Sequence, residues 1–183
     1  EVHCHNDHGL GVANTLAAYE VGASVLSTSI NGLGERAGLA ATEEVIIALH
    51  NLYNVRAFNT EKLYEVCKLV EKISKVPIAP TKSVAGENIF VHTSGIHQHG
   101  VLESPSTYEP YPPELVGQKR KLILGKLSGR HAVEAKLQEL NIKVSEEEIK
   151  KITELVKRKS EERRSALSDA DFMEIVNSIL KMK

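Results

Sequence analysis

The chain has 183 residues, of which 42% are hydrophobic and 26% charged, and its formal net charge is −1. These values are typical of a globular protein with a substantial core, and they exclude a globally positive surface that would attract nucleic acid or an anionic membrane. Its two cysteines lack paired spacing and no apolar run reaches the ~20 residues of a transmembrane helix, so we expect a cytoplasmic protein.

The N-terminal third alternates between strand-like and helix-like patterns. Residues 2–7 alternate in polarity and end in the polar pair Asn6-Asp7, which predicts a strand followed by a loop. A helical pattern over 12–21, a second strand over 23–30 and a helix over 42–52 follow, with a glycine-rich turn at 31–38. Connections this short predict parallel βαβ packing, in which loops at the strand carboxyl ends carry the chemistry.

The rest of the chain changes character twice. An amphipathic helix is predicted over 59–73, and the following stretch contains all six prolines and two short strand patterns, at 89–92 and 121–124. Helical patterns then return in three segments, 132–140, 145–159 and 168–180. We therefore divide the chain into residues 1–75, a connector at 76–129 and a helical subdomain at 130–183.

His3 and His5 are the first candidate metal ligands. They stand two residues apart on a predicted strand, so their rings project from the same face and can converge on one ion. A catalytic metal site needs a third protein ligand, and no nearby carboxylate is an obvious one. Asp7 can contribute directly or can support a ligating imidazole from behind. The alternative is that both residues are ordinary histidines.

Several motifs, taken together and in order, resemble one enzyme family. They are Val2-His3-Cys4-His5-Asn6-Asp7, Asn31-Gly32-Leu33-Gly34-Glu35-Arg36-Ala37-Gly38, Ser94-Gly95-Ile96-His97-Gln98, Thr107-Tyr108-Glu109-Pro110 and Gly125-Lys126-Leu127-Ser128-Gly129-Arg130-His131. They resemble the metal-dependent synthases that make isopropylmalate, citramalate and homocitrate by condensing acetyl-CoA with a 2-oxo acid. Residues 1 to about 160 carry this resemblance.

The resemblance implies an α/β fold, in which residues 1–75 contain the last two strand–helix units of a TIM barrel. It also implies a divalent metal ion, Zn, Mg or Mn, whose third ligand is a carboxylate on an earlier strand. Because the chain opens on Glu1 without an initiator methionine, we expect that residues precede it in the natural protein. The 183 residues alone would then carry an incomplete site and be inactive.

The resemblance also assigns roles to other residues. His97 and Tyr108 lie on the connector and are expected to reach the active site of a partner subunit in a homodimer, because similar residues of the family do so. An imidazole can take the methyl proton of acetyl-CoA, and a polar group can stabilise the enolate. Asn6, Asp7, Glu35 and Arg36 are expected to shape the substrate pocket, Glu35 and Arg36 through an ion pair or a hydrogen-bond brace as readily as by direct contact.

Leu39 departs from part of the family pattern. Isopropylmalate synthases usually have an asparagine there whose amide can reach the metal, whereas homocitrate synthases commonly have an apolar residue. Leu39 and the stretch from Tyr108 to Glu114 therefore favour homocitrate synthase, with isopropylmalate or citramalate synthase as the alternatives. A related C–C lyase, or a non-catalytic dimerisation and regulatory module, are the rivals from other classes.

Overall fold

The computed structural model describes residues 1–92, 100–101 and 104–180. The fold is mixed α/β and rich in helices, and the chain forms two compact units that are interleaved in sequence. The first comprises Glu1–Ile89 and Pro113–Lys119, and the second comprises Phe90–Pro112 and Arg120–Lys183. Among the described helices, none combines the length and the apolar character needed to cross a membrane.

Three α-helices of the first unit confirm the helices predicted there. They are α1 (Gly11–Glu20), α2 (Thr42–Leu52) and α3 (Leu63–Ser74), and α2 has the predicted bounds. A single 3₁₀ turn, Thr60–Lys62, leads into α3. The apolar faces of α1 and α2 meet around Ala40, Val45 and Leu49, as helical spacing of the apolar residues requires.

The two strands of the first unit are parallel, as predicted, but shorter. β1 (Val2–His3) pairs with β2 (Leu26–Ser27), with Val2 opposite Leu26 and His3 opposite Ser27. Beyond these residues the continuations of both strands form backbone hydrogen bonds with residues 38–42 instead of with each other. We call residues 38–41 the return segment, because they bring the chain back from the glycine-rich turn. Its insertion ends the direct pairing, so the strands predicted over 2–7 and 23–30 stop early.

The second unit contains a short parallel strand pair and three helices. β3 (Val91–His92) pairs with β4 (Lys121–Leu122), in agreement with the strand patterns predicted at these positions. The helices are α4 (Arg130–Glu139), α5 (Glu146–Arg163) and α6 (Asp169–Leu180). Their apolar faces enclose one core, which includes Val133, Ile152 and Phe172. All three predicted C-terminal helices are thereby confirmed.

Side-chain caps fix the start of the last two helices. The Ser145 hydroxyl accepts a hydrogen bond from the Glu148 backbone N–H, and the Glu148 carboxylate accepts one from the Ser145 N–H. This reciprocal pair is a capping box, worth about 1 kcal/mol of stability. Ser168 and Asp171 make the same reciprocal pair at the start of α6.

The end of α3 offers a test of this backbone description. Lys75 terminates the helix with a left-handed φ of 60°, a backbone angle that is unfavourable for any residue other than glycine. We expect Lys75→Gly to raise the free energy of unfolding by about 1 kcal/mol. The matched control is Lys72→Gly inside the same helix, which should lower it by about 1 kcal/mol. Urea unfolding measures the free energy of unfolding of both variants. A change of the same sign in both would contradict the left-handed conformation of Lys75 at the end of α3.

Candidate functional site

His3 and His5 lie together at the carboxyl end of β1. Their ring centroids are 5.2 Å apart and the ring planes are inclined by 67°. The His3 Nδ1 atom lies 2.9 Å from the Ser27 hydroxyl oxygen on β2, which orients the ring and leaves its Nε2 atom to face other partners. The structure therefore brings together the two imidazoles that the sequence predicts as metal ligands.

The donor set fits a divalent metal ion, on one observation in particular. The His5 Nδ1 atom is buried and has no hydrogen-bond partner among the described residues. A buried polar atom left without a partner is costly, and a metal ion would satisfy it. No group of three or more histidine, cysteine, aspartate or glutamate side chains in the described ranges is arranged to hold a metal. These two histidines would thus supply part of a coordination shell.

The return segment closes one side of these histidines. The Asn6 N–H donates to the Gly38 carbonyl (2.9 Å), and the Ala40 N–H donates to the Cys4 carbonyl (3.1 Å). Leu39 lies between these bonds and forms an isolated antiparallel bridge with His5. Position 39, at which the sequence departs from the isopropylmalate synthase pattern, is therefore the backbone neighbour of a candidate ligand.

Gly38 permits this close return of the chain. Its φ is +78°, and a Cβ placed on it would overlap the Gly32 carbonyl oxygen. The same carbonyl accepts a hydrogen bond from the Leu39 N–H at 3.0 Å. Only glycine meets both conditions, because a side chain is disfavoured by the backbone angle and excluded by the contact. The glycine-rich turn is thus a device for folding the chain back onto β1.

Asp7 and Arg36 form the clearest polar pair near the histidines. Both carboxylate oxygens of Asp7 accept from the Arg36 guanidinium, at 2.9 and 3.0 Å. Hydrogen bonding to Arg36 holds the pKa of Asp7 below its ordinary value. The pair is largely exposed and contributes little stability, so its effect is to orient both side chains. The carboxylate bonds described for Asp7 go to Arg36; a supporting role toward His5 remains a prediction.

The other two predicted pocket residues take different positions. The Asn6 side-chain oxygen accepts from the Gly11 N–H at 3.0 Å, which satisfies the first backbone donor of α1. Glu35 is exposed, and its backbone carbonyl accepts from the Gly38 N–H. Asn6 therefore joins β1 to α1. Of the other two residues, Arg36 forms an ion pair with Asp7, and a pocket-shaping role for Glu35 stays a prediction.

Of the two predicted catalytic residues on the connector, one lies within the described residues. His97 lies outside them. Tyr108 belongs to the second unit, is 42% exposed, and packs its ring against the backbone of Gly100. A Cβ at Gly100 would lie 2.6 Å from the Tyr108 Cε2 atom, so any side chain there would displace the ring.

A buried carboxylate stands beside Tyr108 in the same unit. Glu109 is 5% exposed, and its Oε1 atom lies 3.0 Å from His92 Nε2 and 2.7 Å from Arg120 Nε. Burial raises the pKa of Glu109, but the hydrogen bonds from Arg120 and His92 lower it by more. The net result is a pKa below the ordinary value of a glutamate. The triad connects β3 to the residue that precedes β4.

A second buried carboxylate lies under the glycine-rich turn of the first unit. Glu43 is fully buried in the first turn of α2, and its Oε2 atom accepts from the Asn31 backbone N–H at 3.0 Å. Its Oε1 atom is 3.3 Å from the Lys82 ammonium but out of line for a hydrogen bond. Lys82 also donates to Glu44 at 2.7 Å.

Family models and individual related proteins both indicate the same family. Residues 1–70 match the HMGL-like family model, and residues 84–164 match the model of the homocitrate synthase post-HMGL domain. The chain belongs to the isopropylmalate and homocitrate synthase family. It is 57% identical to 2-isopropylmalate synthase of Methanocaldococcus jannaschii over 159 residues, which are 86% of this chain and 31% of that protein.

Two further members of the family align over nearly the whole chain. Homocitrate synthase AksA of Methanopyrus kandleri is 49% identical over 183 residues, which are 100% of this chain and 46% of that protein. The putative (R)-citramalate synthase CimA of the same organism is 44% identical over 180 residues, 98% and 35% respectively. The chain therefore spans about a third to a half of the length of the curated relatives it matches.

Sequence reasoning missed the buried charge clusters around Glu43 and Glu109. Glu43 reads as an ordinary first-turn acid and His92 as a histidine without a partner, because their partners lie far away in sequence. One signal was available for Lys82: it is the only charged residue in the stretch 76–86, and two prolines precede it there. A lone cation in such a stretch suggests a buried anion elsewhere.

The thiol of Cys67, which feels the charge of Glu43, is expected to be unreactive. Burial and the Glu43 charge raise the pKa of Cys67 to about 12. In a Cys4→Ser variant, where Cys67 is the remaining cysteine, we expect alkylation by iodoacetamide at pH 8 to run at least about a hundredfold slower than that of a free thiol. The variant unfolded in urea is the control. Equal rates in the folded and unfolded states would show that Cys67 is accessible.

Proposed function

We propose that the whole protein condenses acetyl-CoA with a 2-oxo acid on a divalent metal ion. The observation that carries this proposal is the pair His3 and His5, side by side at a strand end with a buried ring nitrogen that lacks a hydrogen-bond partner among the described residues. It is supported by relatives named as isopropylmalate, homocitrate and citramalate synthases.

The proposed architecture follows the family. Residues 1–75 would form the last two strand–helix units of a TIM barrel, 76–129 the connector and 130–183 the helical subdomain. Support comes from the parallel pair β1 and β2, each followed along the chain by an α-helix, which is the repeating unit of such barrels. The third metal ligand and the substrate-binding arginine would lie on preceding strands. The 183 residues alone would then bind metal weakly and show no turnover.

The chemistry divides among residues of two subunits. A bound Zn, Mg or Mn ion would polarise the keto carbonyl of the 2-oxo acid as a Lewis acid. His3 and His5 would hold that ion, and the Asp7–Arg36 pair would shape the rim of the pocket. In a homodimer whose connector crosses to the partner, His97 would take the methyl proton of acetyl-CoA and Tyr108 would stabilise the enolate oxygen. The enolate carbon would attack the keto carbon, whose oxygen would take up a proton to become a hydroxyl, and water would then hydrolyse the thioester and release CoA.

For the 2-oxo acid we propose 2-oxoglutarate, which would make homocitrate. Leu39, the backbone neighbour of His5, cannot ligate a metal, which fits the homocitrate pattern. Alignment length separates only isopropylmalate synthase from the other two: homocitrate synthases AksA align over 97% to 100% of the chain and citramalate synthases CimA over 98% to 100%, whereas the 2-isopropylmalate synthases align over 85% to 86%. Isopropylmalate synthase is the second candidate because of the 57% identity. A dimerisation module would give the two histidines no purpose.

The metal claim is tested in the intact protein. We expect His3→Ala and His5→Ala each to abolish stoichiometric metal and activity together, because each removes one of few ligands. His8→Ala, an exposed histidine three residues further on, is the matched control and should leave both unchanged. Metal analysis of purified protein is the measurement. Native metal content in both ligand variants would remove the central claim.

The substrate claim needs a separate measurement. We expect the intact protein to show a larger kcat/KM for 2-oxoglutarate than for 2-oxoisovalerate or pyruvate when CoA release is followed at saturating acetyl-CoA. A tenfold preference for 2-oxoisovalerate, which corresponds to about 1.4 kcal/mol of differential transition-state binding, would move the assignment to isopropylmalate synthase. A preference for pyruvate would move it to citramalate synthase.

A further inference from the structure

We propose that Glu43 is a positioning residue for His5, acting through the glycine-rich turn and the return segment. The proposal rests on the metal site of the proposed function and adds to it a residue that the sequence motifs do not single out. Glu43 is far from His5 along the chain and does not touch it. The connection between them consists of hydrogen bonds within the first unit.

The connection begins at the Glu43 carboxylate. Its Oε2 atom accepts the Asn31 backbone N–H at 3.0 Å, and the Asn31 side-chain amide donates to the Cys67 carbonyl at 3.0 Å. Asn31 has a left-handed φ of 60°, which is uncommon for a residue with a side chain. Two bonds to neighbouring helices thus hold this residue in an unfavoured conformation at the start of the turn.

The connection continues through the backbone to His5. The residue after Asn31, Gly32, donates its N–H to the Ser29 carbonyl and accepts from the Leu39 N–H, both at 3.0 Å. Leu39 is bridged to His5. A shift of Asn31 would therefore move the Gly32 carbonyl, the return segment and the backbone of the candidate ligand. Metal affinity is sensitive to such displacements, because support behind the ligands sets their geometry.

Lys82 completes the arrangement from the other side. It lies in a tight turn in which the Lys82 carbonyl accepts the Gly86 N–H at 2.8 Å. Val84 in this turn has a φ of 65°, an outlier for a β-branched residue, and the Gln118 side chain clamps it by donating to the carbonyls of Val84 and Gly86. Strained backbone persists where its surroundings over-determine it. Here the turn delivers a cation to a fully buried carboxylate.

A purely structural role would not require this chemistry. Burial of a carboxylate with its cation is expensive, and well-packed apolar residues of similar volume are often as stable. What an apolar residue at position 43 could not do is accept the Asn31 N–H. The ion pair keeps the carboxylate charged and in place, so that this acceptor stays fixed.

The test uses the full-length protein loaded with Co²⁺, whose visible absorption reports the ligand geometry. We expect Glu43→Leu to weaken Co²⁺ binding at least tenfold in chelator competition and to shift the absorption band. Glu43→Gln, which retains an acceptor for the Asn31 N–H, should bind within threefold of the wild type. Glu44→Leu is the matched control: it removes the Lys82 bond, leaves the Asn31 bond, and should also stay within threefold.

Two further measurements keep the result decisive. Hydrogen exchange of residues 30–40 in the metal-free protein should be faster in Glu43→Leu and unchanged in Glu44→Leu. If Glu43→Leu does not fold by circular dichroism, Glu43→Asp decides, since its carboxylate is one methylene too short to serve both Asn31 and Lys82. Native Co²⁺ affinity and absorption in folded Glu43→Leu, or in Glu43→Asp where Glu43→Leu does not fold, would overturn the proposal. Wild-type absorption that survives His5→Ala would overturn the metal site as well.

Discussion

Backbone hydrogen bonds from the return segment hold the two strands of the first unit at the point where they part. Ser29 and Cys4, on the continuations of β2 and β1, both bond to Ala40, so residues 38–41 lie between the diverging chains. Paired strands keep their direction, whereas a segment inserted between them re-aims the side chains that follow. His5 is one of those side chains. The direction of its ring is therefore set by a turn made more than twenty residues later.

Each unit contains a buried carboxylate that a cation holds between distant segments of the chain. In the first unit Glu43 is held by Lys82, and in the second Glu109 is held by Arg120 with His92 beside it. Such pairs are weak contributors to net stability, because desolvation offsets their attraction. They do exclude alternative packings, since a shifted backbone would leave a charge buried and unpaired. Both pairs join segments that regular secondary structure does not join.

The helices could be predicted because their determinants are local. The apolar spacing that predicts α2 recurs within a few residues, and the helix is confirmed. The Ser145 capping box at the start of α5 likewise lies within four residues. The strand lengths could not be predicted, because they depend on Gly38 folding back to compete for backbone donors. The convergence of His3 and His5 follows from strand alternation alone. The Asp7–Arg36 pair and the burial of Glu43 depend on partners 29 and 12 residues away, which no periodicity reveals.

The interleaving of the two units has a consequence for how the chain becomes structured as it is synthesised. The first unit is completed by Pro113–Lys119, which follow β3 of the second unit. Gln118, which clamps the strained turn around Val84, leaves the ribosome only after more than thirty intervening residues. Until then the turn lacks that clamp, and the Lys82 ammonium is attached to a backbone that can relax. The helices α4 to α6 depend on nearer neighbours and can form without such a delay. A single cut between Ile89 and Phe90, at the first boundary between the units, would therefore separate the strained turn from the residue that holds it.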